Sequence, residues 1–191
     1  YVPRQGDGWF GWYANLEIAP NLHRGYSVYG GVQPKFHIGD RFDIDVGLFG
    51  RKQQDWVLWQ GGRNFGSFEA KRAELYSNLN WFIGAKQELR LKLQAIAIDA
   101  EALTMRSPDG DGGLVATATP LADFRVRNLG FQLRYRYQLG TLSDVFAVYS
   151  RGGFERETLL GDDSLGSILG DTFALDNDDQ FLLKIAYRFA P

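Results

Sequence analysis

Apolar and polar residues alternate along most of this chain, and the alternation is clearest in residues 179–191. Every odd position from Phe181 to Phe189 is aliphatic or aromatic, whereas Lys184 and Arg188 lie on the opposite face. A period of two predicts a β-strand. A transmembrane β-strand requires this pattern, because one of its faces meets lipid and the other meets the barrel interior.

The same alternation predicts seven earlier strands. They cover residues 9–19, 26–38, 42–48, 72–81, 89–97, 131–139 and 144–151. The strand at 144–151 is apolar on both faces, so its phase stays open. Pro34 cannot donate to a ladder, and Val126 is out of phase with the strand after it, so bulges are predicted at Pro34 and near residues 128–130.

The segments between the predicted strands alternate in length. Short turns are predicted near residues 39–40, 84–87 and 140–143, and long loops at 50–67, 106–123 and 152–178, with residues 1–8 as a lead-in. Outer-membrane barrels have short periplasmic turns and long external loops. The predicted fold is therefore all-β, an antiparallel up-and-down transmembrane β-barrel, with residues 1–191 forming a single domain or a barrel fragment of eight strands.

Composition excludes several classes of protein. The 191 residues include no Cys, which removes disulfide scaffolds and thiolate metal sites. The formal charge of −2 gives a nucleic-acid partner no electrostatic support. No apolar run reaches the 18 or so residues of a membrane helix. The mean hydropathy of −0.27 is typical of a soluble chain, but barrel strands average apolar with polar positions.

Charged residues collect on the predicted inner face. The predicted lumen-lining residues are Lys35, Asp43, Asp45, Arg72, Glu74, Arg90, Lys92, Arg134, Arg136, Lys184 and Arg188. Lys35 and His37 are expected to pair with Asp43 and Asp45, and Glu74 with Arg72 or Arg90. The remaining cations lack a carboxylate, and unpaired charge is costly in a dry lumen. This favours a wide, wet barrel of which the eight strands are the C-terminal part, and the absence of an initiating Met favours the same hypothesis.

Candidate catalytic chemistry is sparse. His23, in the first external turn, could act with Ser27 in a lipid hydrolase or acyltransferase, but a rim histidine with no catalytic role is the simpler interpretation. The acidic stretches 109–111, 162–163 and 176–179 do not fit a calcium loop, and solvated loops or weak divalent bridging to lipopolysaccharide explain them. No metal site or cofactor is predicted.

Four residues form a candidate glycan platform: Trp56, Trp59, Arg63 and Phe65. Aromatic rings stack on sugars, but Trp and Tyr also favour the membrane interface. An aromatic girdle is the interpretation that the composition favours.

Three stretches resemble a known family: DWVLWQGGRNFGSF at 55–68, SDVFAVYSRG at 143–152 and DQFLLKIAYRF at 179–189. They are similar to the C-terminal end of a bacterial outer-membrane family of unknown function. Its members join an N-terminal carbohydrate-binding-like domain to a larger barrel, and some are labelled membrane-associated hydrolases. The resemblance implies more than eight strands in the whole barrel and supplies no catalytic residues.

The leading functional hypothesis is a non-enzymatic, porin-like barrel of the Gram-negative outer membrane. It would serve as an anchor or as a solute conduit with a basic lumen. Its expected partners are the lipid bilayer, lipopolysaccharide, and the rest of a larger barrel or an N-terminal periplasmic domain. Two alternatives stay open: an outer-membrane hydrolase or acyltransferase acting on lipid or glycan at the outer rim, and a soluble lipocalin-like binding barrel.

Overall fold

The computed structural model describes residues 2–4, 8–21, 25–158 and 163–189. The strands are β1 Val2–Arg4, β2 Phe10–Pro20, β3 Tyr26–Ile38, β4 Phe42–Gly61, β5 Asn64–Gly84, β6 Gln87–Pro108, β7 Leu114–Thr117, β8 Phe124–Gly140, β9 Ser143–Glu157 and β10 Asp178–Ala186. One short helix, α1 Leu165–Asp171, continues into a 3-10 turn, Thr172–Ala174. Within the described residues, no helix has both the length and the apolar character needed to cross a bilayer.

The strands form one antiparallel sheet in the order β1-β2-β3-β4-β5-β6-β8-β9-β10, with β7 paired only to β6. This confirms the prediction of an all-β, antiparallel, up-and-down arrangement. The eight predicted strands correspond to β2–β6 and β8–β10, while β1 and β7 fall in segments predicted as lead-in and loop. Among the described residues, the ladders lead from β1 to β10 and none joins these two ends of the sheet.

The prediction of a long loop at residues 50–67 is wrong. Strands β4 and β5 continue through it and meet at a turn of Gly62 and Arg63. Aromatic residues pair across this hairpin, with Trp56 opposite Phe68. The polar and aromatic residues of this segment predict a loop, but cross-strand aromatic pairs stabilise an extended hairpin.

The other two long loops are also partly structured. Strand β6 extends to Pro108 and pairs with β7 inside the predicted loop 106–123. In the predicted loop 152–178, β9 continues to Glu157 and α1 follows. Ser164 caps α1, since its side chain accepts a hydrogen bond from the Ser167 amide. The final strand ends at Ala186, earlier than predicted.

Neither predicted bulge is present. The β2–β3 register continues through Pro34, which lies opposite Trp12, and the β3–β4 register is the same before and after the proline. The β6–β8 ladder continues without a shift past residues 128–130. Register shifts lie elsewhere, among them one in β4 between Gln53 and Trp56, where Asp55 has φ of 50°, and one in the β5–β6 ladder between Ser67 and Phe68.

The registers assign the paired side chains of the sheet to one of two faces. Face A is the face of Lys92, and face B is the face of Leu91. The phase of β9, which its sequence left open, follows from its partners: Tyr149 lies opposite Leu133 and Phe181 on face B. The turn half is the half of the sheet beside the short turns at 39–41, 85–86 and 141–142, and the far half is the opposite half.

The two faces exchange character between the two halves. In the turn half, face B is apolar and face A is polar. In the far half, face A carries the apolar cluster Phe68, Ala70, Ala100 and Phe124. Face B of the far half is charged, and its ion pairs are Lys52–Glu69, Lys71–Glu101, Arg125–Asp99, Arg127–Glu155 and Arg127–Glu157.

Helix α1 packs on face B at the boundary between the two halves. Leu175, just beyond the 3-10 turn, joins Ala95 and Leu129 in a buried cluster, and Leu169 packs against that cluster. Ile168 is fully buried. The helix therefore covers the small residues at which face B changes from apolar to charged.

Aromatic rings on face A lie over glycines of the neighbouring strand. The Phe49 ring stacks with Tyr29 and Tyr76 at centroid distances of 5.8 Å and 5.6 Å. A Cβ on Gly31 would lie 2.4 Å from the Phe49 ring and 2.4 Å from the Leu48 carbonyl oxygen. The missing side chain at Gly31 thus leaves the space that Phe49 occupies.

We expect Gly31→Ala to lower the free energy of unfolding by about 1–3 kcal/mol, because the new methyl group overlaps backbone as well as side chain. Denaturant unfolding followed by circular dichroism measures the change. Gly130→Ala is the matched control, because no heavy atom lies within 4 Å of a Cβ built there. Equal stability of the two variants would contradict the packing described for Phe49.

Candidate functional site

Face A of the turn half forms a polar trough of about 510 Å³ that crosses β5, β6, β8, β9 and β10. Hydrogen-bonding side chains dominate its lining, which includes Asn78, Lys92, Gln94, Gln132, Ser150 and Gln180. These residues come together because Asn78, Lys92, Gln132, Ser150 and Gln180 follow one another across successive strand pairs. Alternation in the sequence is sufficient to put Asn78, Lys92, Gln132 and Gln180 on the polar faces of their strands, whereas the face of Ser150 follows from the registers of β9.

The predicted lumen-lining residues share this face, with one exception. Registers from β3 to β10 put all of them on face A apart from Arg188. Arg188 lies beyond the end of β10, where its backbone N–H donates to Ser143 Oγ at 3.0 Å.

Ion pairs that sequence reasoning missed lie at the turn end of face A. Glu88 is only 6% exposed and contacts Arg90, with Arg136 Nη1 at 3.8 Å from its other oxygen. Arg136 also forms a two-pronged pair with Asp144, at 3.0 Å and 3.1 Å. Glu88 and Asp144 are each the second residue after a short turn, so their faces depended on turn geometry that alternation alone does not give.

Two of the expected pairs form. His37 pairs with Asp43, and Arg72 with Glu74 at 2.5 Å. Asp45 lies opposite Lys35, yet its carboxylate accepts hydrogen bonds from the amides of Gln33 and Asn78, each at 3.1 Å.

Several cations of face A have no carboxylate within 4.0 Å among the described residues. They are Lys35, Arg51, Lys92, Arg134, Arg156 and Lys184. Because Glu88, Asp144 and Asp178 also lie on this face, the surplus of positive charge is smaller than the sequence count indicated.

The four residues of the candidate glycan platform are divided between the two faces. Trp56 lies on face A, half-buried against the Phe124 ring at 6.2 Å between centroids. Trp59 lies on face B opposite Phe65, is 66% exposed, and donates from Nε1 to the Gly62 carbonyl oxygen. Arg63, in the turn, donates to the Pro108 carbonyl oxygen at 3.3 Å.

The remaining candidate groups are the pair of His23 and Ser27 and the acidic stretches. His23 lies outside the described residues, and its hypothetical partner Ser27 is buried in β3. The carboxylate of Asp109 accepts from the amides of Asp111 and Gly113, and Asp179 accepts from the Tyr149 hydroxyl at 2.7 Å. The described residues contain no group of three or more His, Asp or Glu placed to hold a metal ion.

The charged network on face B of the far half changes the acid–base behaviour of two of its members. Burial raises the pKa of Asp99, and the nearby Arg125 guanidinium opposes that rise. A hydrogen bond from Lys71 to Glu101, together with the attraction of that carboxylate, raises the pKa of Lys71. Both residues lie beyond the apolar part of face B.

Comparison of the chain with protein-family models, with curated proteins and with solved structures gives no match. The geometry of the two faces is therefore the basis for a functional proposal.

We expect Arg127→Ala to lower the free energy of unfolding by about 2 kcal/mol, because it leaves Glu155 and Glu157 close together without their shared cation. Lys71→Ala is the control, because it breaks the more exposed pair with Glu101 and should cost less than about 1 kcal/mol. Denaturant unfolding of both variants measures the difference. A larger cost for Lys71→Ala would contradict the role given to Arg127.

Proposed function

We propose that this chain forms the wall of an outer-membrane β-barrel that anchors its protein in the membrane and conducts small solutes along its polar face. The observation that carries the proposal is the exposure of two opposite faces in the turn half. Face B exposes large apolar side chains, among them Leu48, Trp81 and Phe181, while face A exposes Lys92 and Gln132. Lipid on one side and water on the other would satisfy both faces.

The height of the apolar region supports this proposal. On β6 it extends from Leu89 to Ala97, roughly 26 Å of strand at about 3.3 Å per residue. Strands in such barrels tilt by about 35–45°, which would bring the height to about 20 Å, near the apolar band of about 25 Å. The charged network would then lie outside the bilayer, and the segment from α1 to Leu175, which packs on Ala95, would lie at the outer border of the band.

Aromatic residues cluster at the turn end of face B. Phe10 packs against Phe36 at 5.0 Å, and Phe42 against Trp81 at 6.3 Å. Outer-membrane barrels have girdles of aromatic residues where the apolar band meets water. The rings of face B would mark the periplasmic border of the band.

Both edges of the sheet favour pairing with further strands. Leu16 and Ile18 on β2 are about as exposed as Phe181 and Ile185 on β10. An open edge with exposed apolar residues is a site of strand addition. We propose that the edges meet additional strands of a longer protein, as the resemblance to the outer-membrane family implies, or close on each other.

The conduit would be polar at the turn end and narrow and apolar at the far end. There Leu121, from the segment after β7, packs on the Phe68 and Phe124 cluster of face A. Asp123 holds that segment by accepting a hydrogen bond from the Ala102 amide at 2.6 Å. An apolar constriction limits permeation by dewetting, so we expect low conductance.

Single-cysteine variants test the placement of the two faces, because the chain has no Cys of its own. In liposomes, we expect Lys92→Cys to react with a water-soluble maleimide and Leu91→Cys to react only after detergent is added. The two positions are neighbours on β6, so each controls for the other, and Lys71→Cys is the accessible control. Rapid labelling of Leu91→Cys in intact liposomes would overturn the proposal.

Planar-bilayer recordings test conduction. We expect a small current whose anion preference falls in Lys92→Glu and Arg134→Glu, because each change replaces a cation of face A that has no carboxylate within 4.0 Å among the described residues. Lys52→Glu on face B is the control and should not alter selectivity. A protein that inserts but passes no current would keep the anchor and remove the conduit.

A further inference from the structure

A small cavity of about 160 Å³ lies on face A where its polar and apolar halves meet. Arg51, Gln53, Trp56, Ala70, Arg72 and Ile98 line it. It is separate from the polar trough, with which it shares no lining residue.

The polar wall of the cavity contains two arginines directly opposite each other on β4 and β5. Like charges in this arrangement destabilise a sheet unless something compensates them. Arg72 pairs with Glu74, while the Arg51 guanidinium lies 4.9 Å from the centre of the Tyr29 ring and has no carboxylate within 4.0 Å among the described residues. Within the described residues, Glu74 thus compensates Arg72 directly, while Arg51 has no carboxylate in contact.

The hydrogen-bonding capacity of this pair is not fully used within the described residues. Arg72 Nε is buried there and has no hydrogen-bond partner. Guanidinium groups bind carboxylates with charge-assisted, often two-pronged hydrogen bonds. The arginine side of the cavity therefore suits a carboxylate.

The opposite wall is apolar. Trp56, Ala70 and Ile98 form it, and Trp56 and Ala70 continue into the buried cluster of Phe68 and Phe124. A small hydrated anion would leave this wall uncovered, whereas an apolar group attached to the anion would cover it. A cavity of about 150 Å³ is large enough to hold a benzene ring, so the volume suits one compact ring.

We propose that this cavity binds a carboxylate that carries a compact apolar ring, with the carboxylate between Arg51 and Arg72 and the ring against Trp56 and Ile98. The site goes beyond the proposed conduit, because binding depends on these side chains and not on whether the barrel conducts.

Calorimetric titration of the detergent-solubilised full chain with benzoate tests the proposal. Acetate lacks the ring and benzyl alcohol lacks the charge, so each probe removes one half of the recognition. We expect benzoate to bind at least about tenfold more tightly than either, since a charged hydrogen bond is worth about 1.5–3 kcal/mol. Benzoate binding no tighter than acetate would overturn the proposal.

Variants locate the site. Arg51→Gln and Arg72→Gln should each weaken benzoate binding by about tenfold or more. Lys92→Gln is the matched control, since it removes a cation of the same face outside the cavity, and should change affinity by less than about twofold. Equal weakening by Lys92→Gln and Arg51→Gln would indicate general attraction to face A and overturn the assignment.

A further variant distinguishes loss of the binding site from loss of the fold. Ile98→Phe keeps both arginines and fills the apolar wall, so it should weaken benzoate while leaving acetate unaffected. Circular dichroism of each variant verifies the fold. If the protein shows neither a current nor the expected cysteine-labelling pattern but still binds benzoate, the proposed function is removed and this site stands.

Discussion

The hydrogen-bonded ladder, with its fixed registers, is the constraint on which the rest of this structure depends. Between β6 and β8 the register is unbroken from the pair of Gln87 and Tyr137 to the pair of Ala100 and Phe124. Side chains of a strand alternate between two faces, so Lys92 and Ile98 must share a face although one is charged and the other apolar. The exchange of polarity is therefore a property of each whole face. Neighbouring strands change between apolar and polar side chains at the same distance from the short turns.

That shared level organises the features that lie around it. Face B has small residues there, Ala95 and Ala97, and the segment from α1 to Leu175 packs on this part of the face. On face A the change brings Arg51 and Arg72 beside Trp56 and Ile98. Charged and apolar side chains meet wherever the faces exchange, which explains why the cavity with both kinds of wall occurs at this level.

The candidate site was only partly predictable from the sequence. Alternation was enough to group Lys92, Arg134 and Lys184 on one face, because a strand has a period of two. It did not find Arg51, which lay in a segment predicted as a loop, nor Glu88, which lies beside a turn. The pairing of Arg72 with Glu74 was predicted, whereas Arg51 opposite Arg72 needed the register of β4 against β5.

The sequence by itself determined that the chain is all-β, that its strands connect up and down, and that their turn-end halves have one apolar and one polar face, because these properties follow from local alternation and turn residues. Only the tertiary structure decided how far the strands extend, on which face each side chain of β9 lies, and where α1 packs. Those outcomes depend on partners distant in sequence: Trp56 is held by Phe68, Tyr149 by Leu133 and Phe181, and Leu175 by Ala95 and Leu129. A local sequence pattern does not identify such partners.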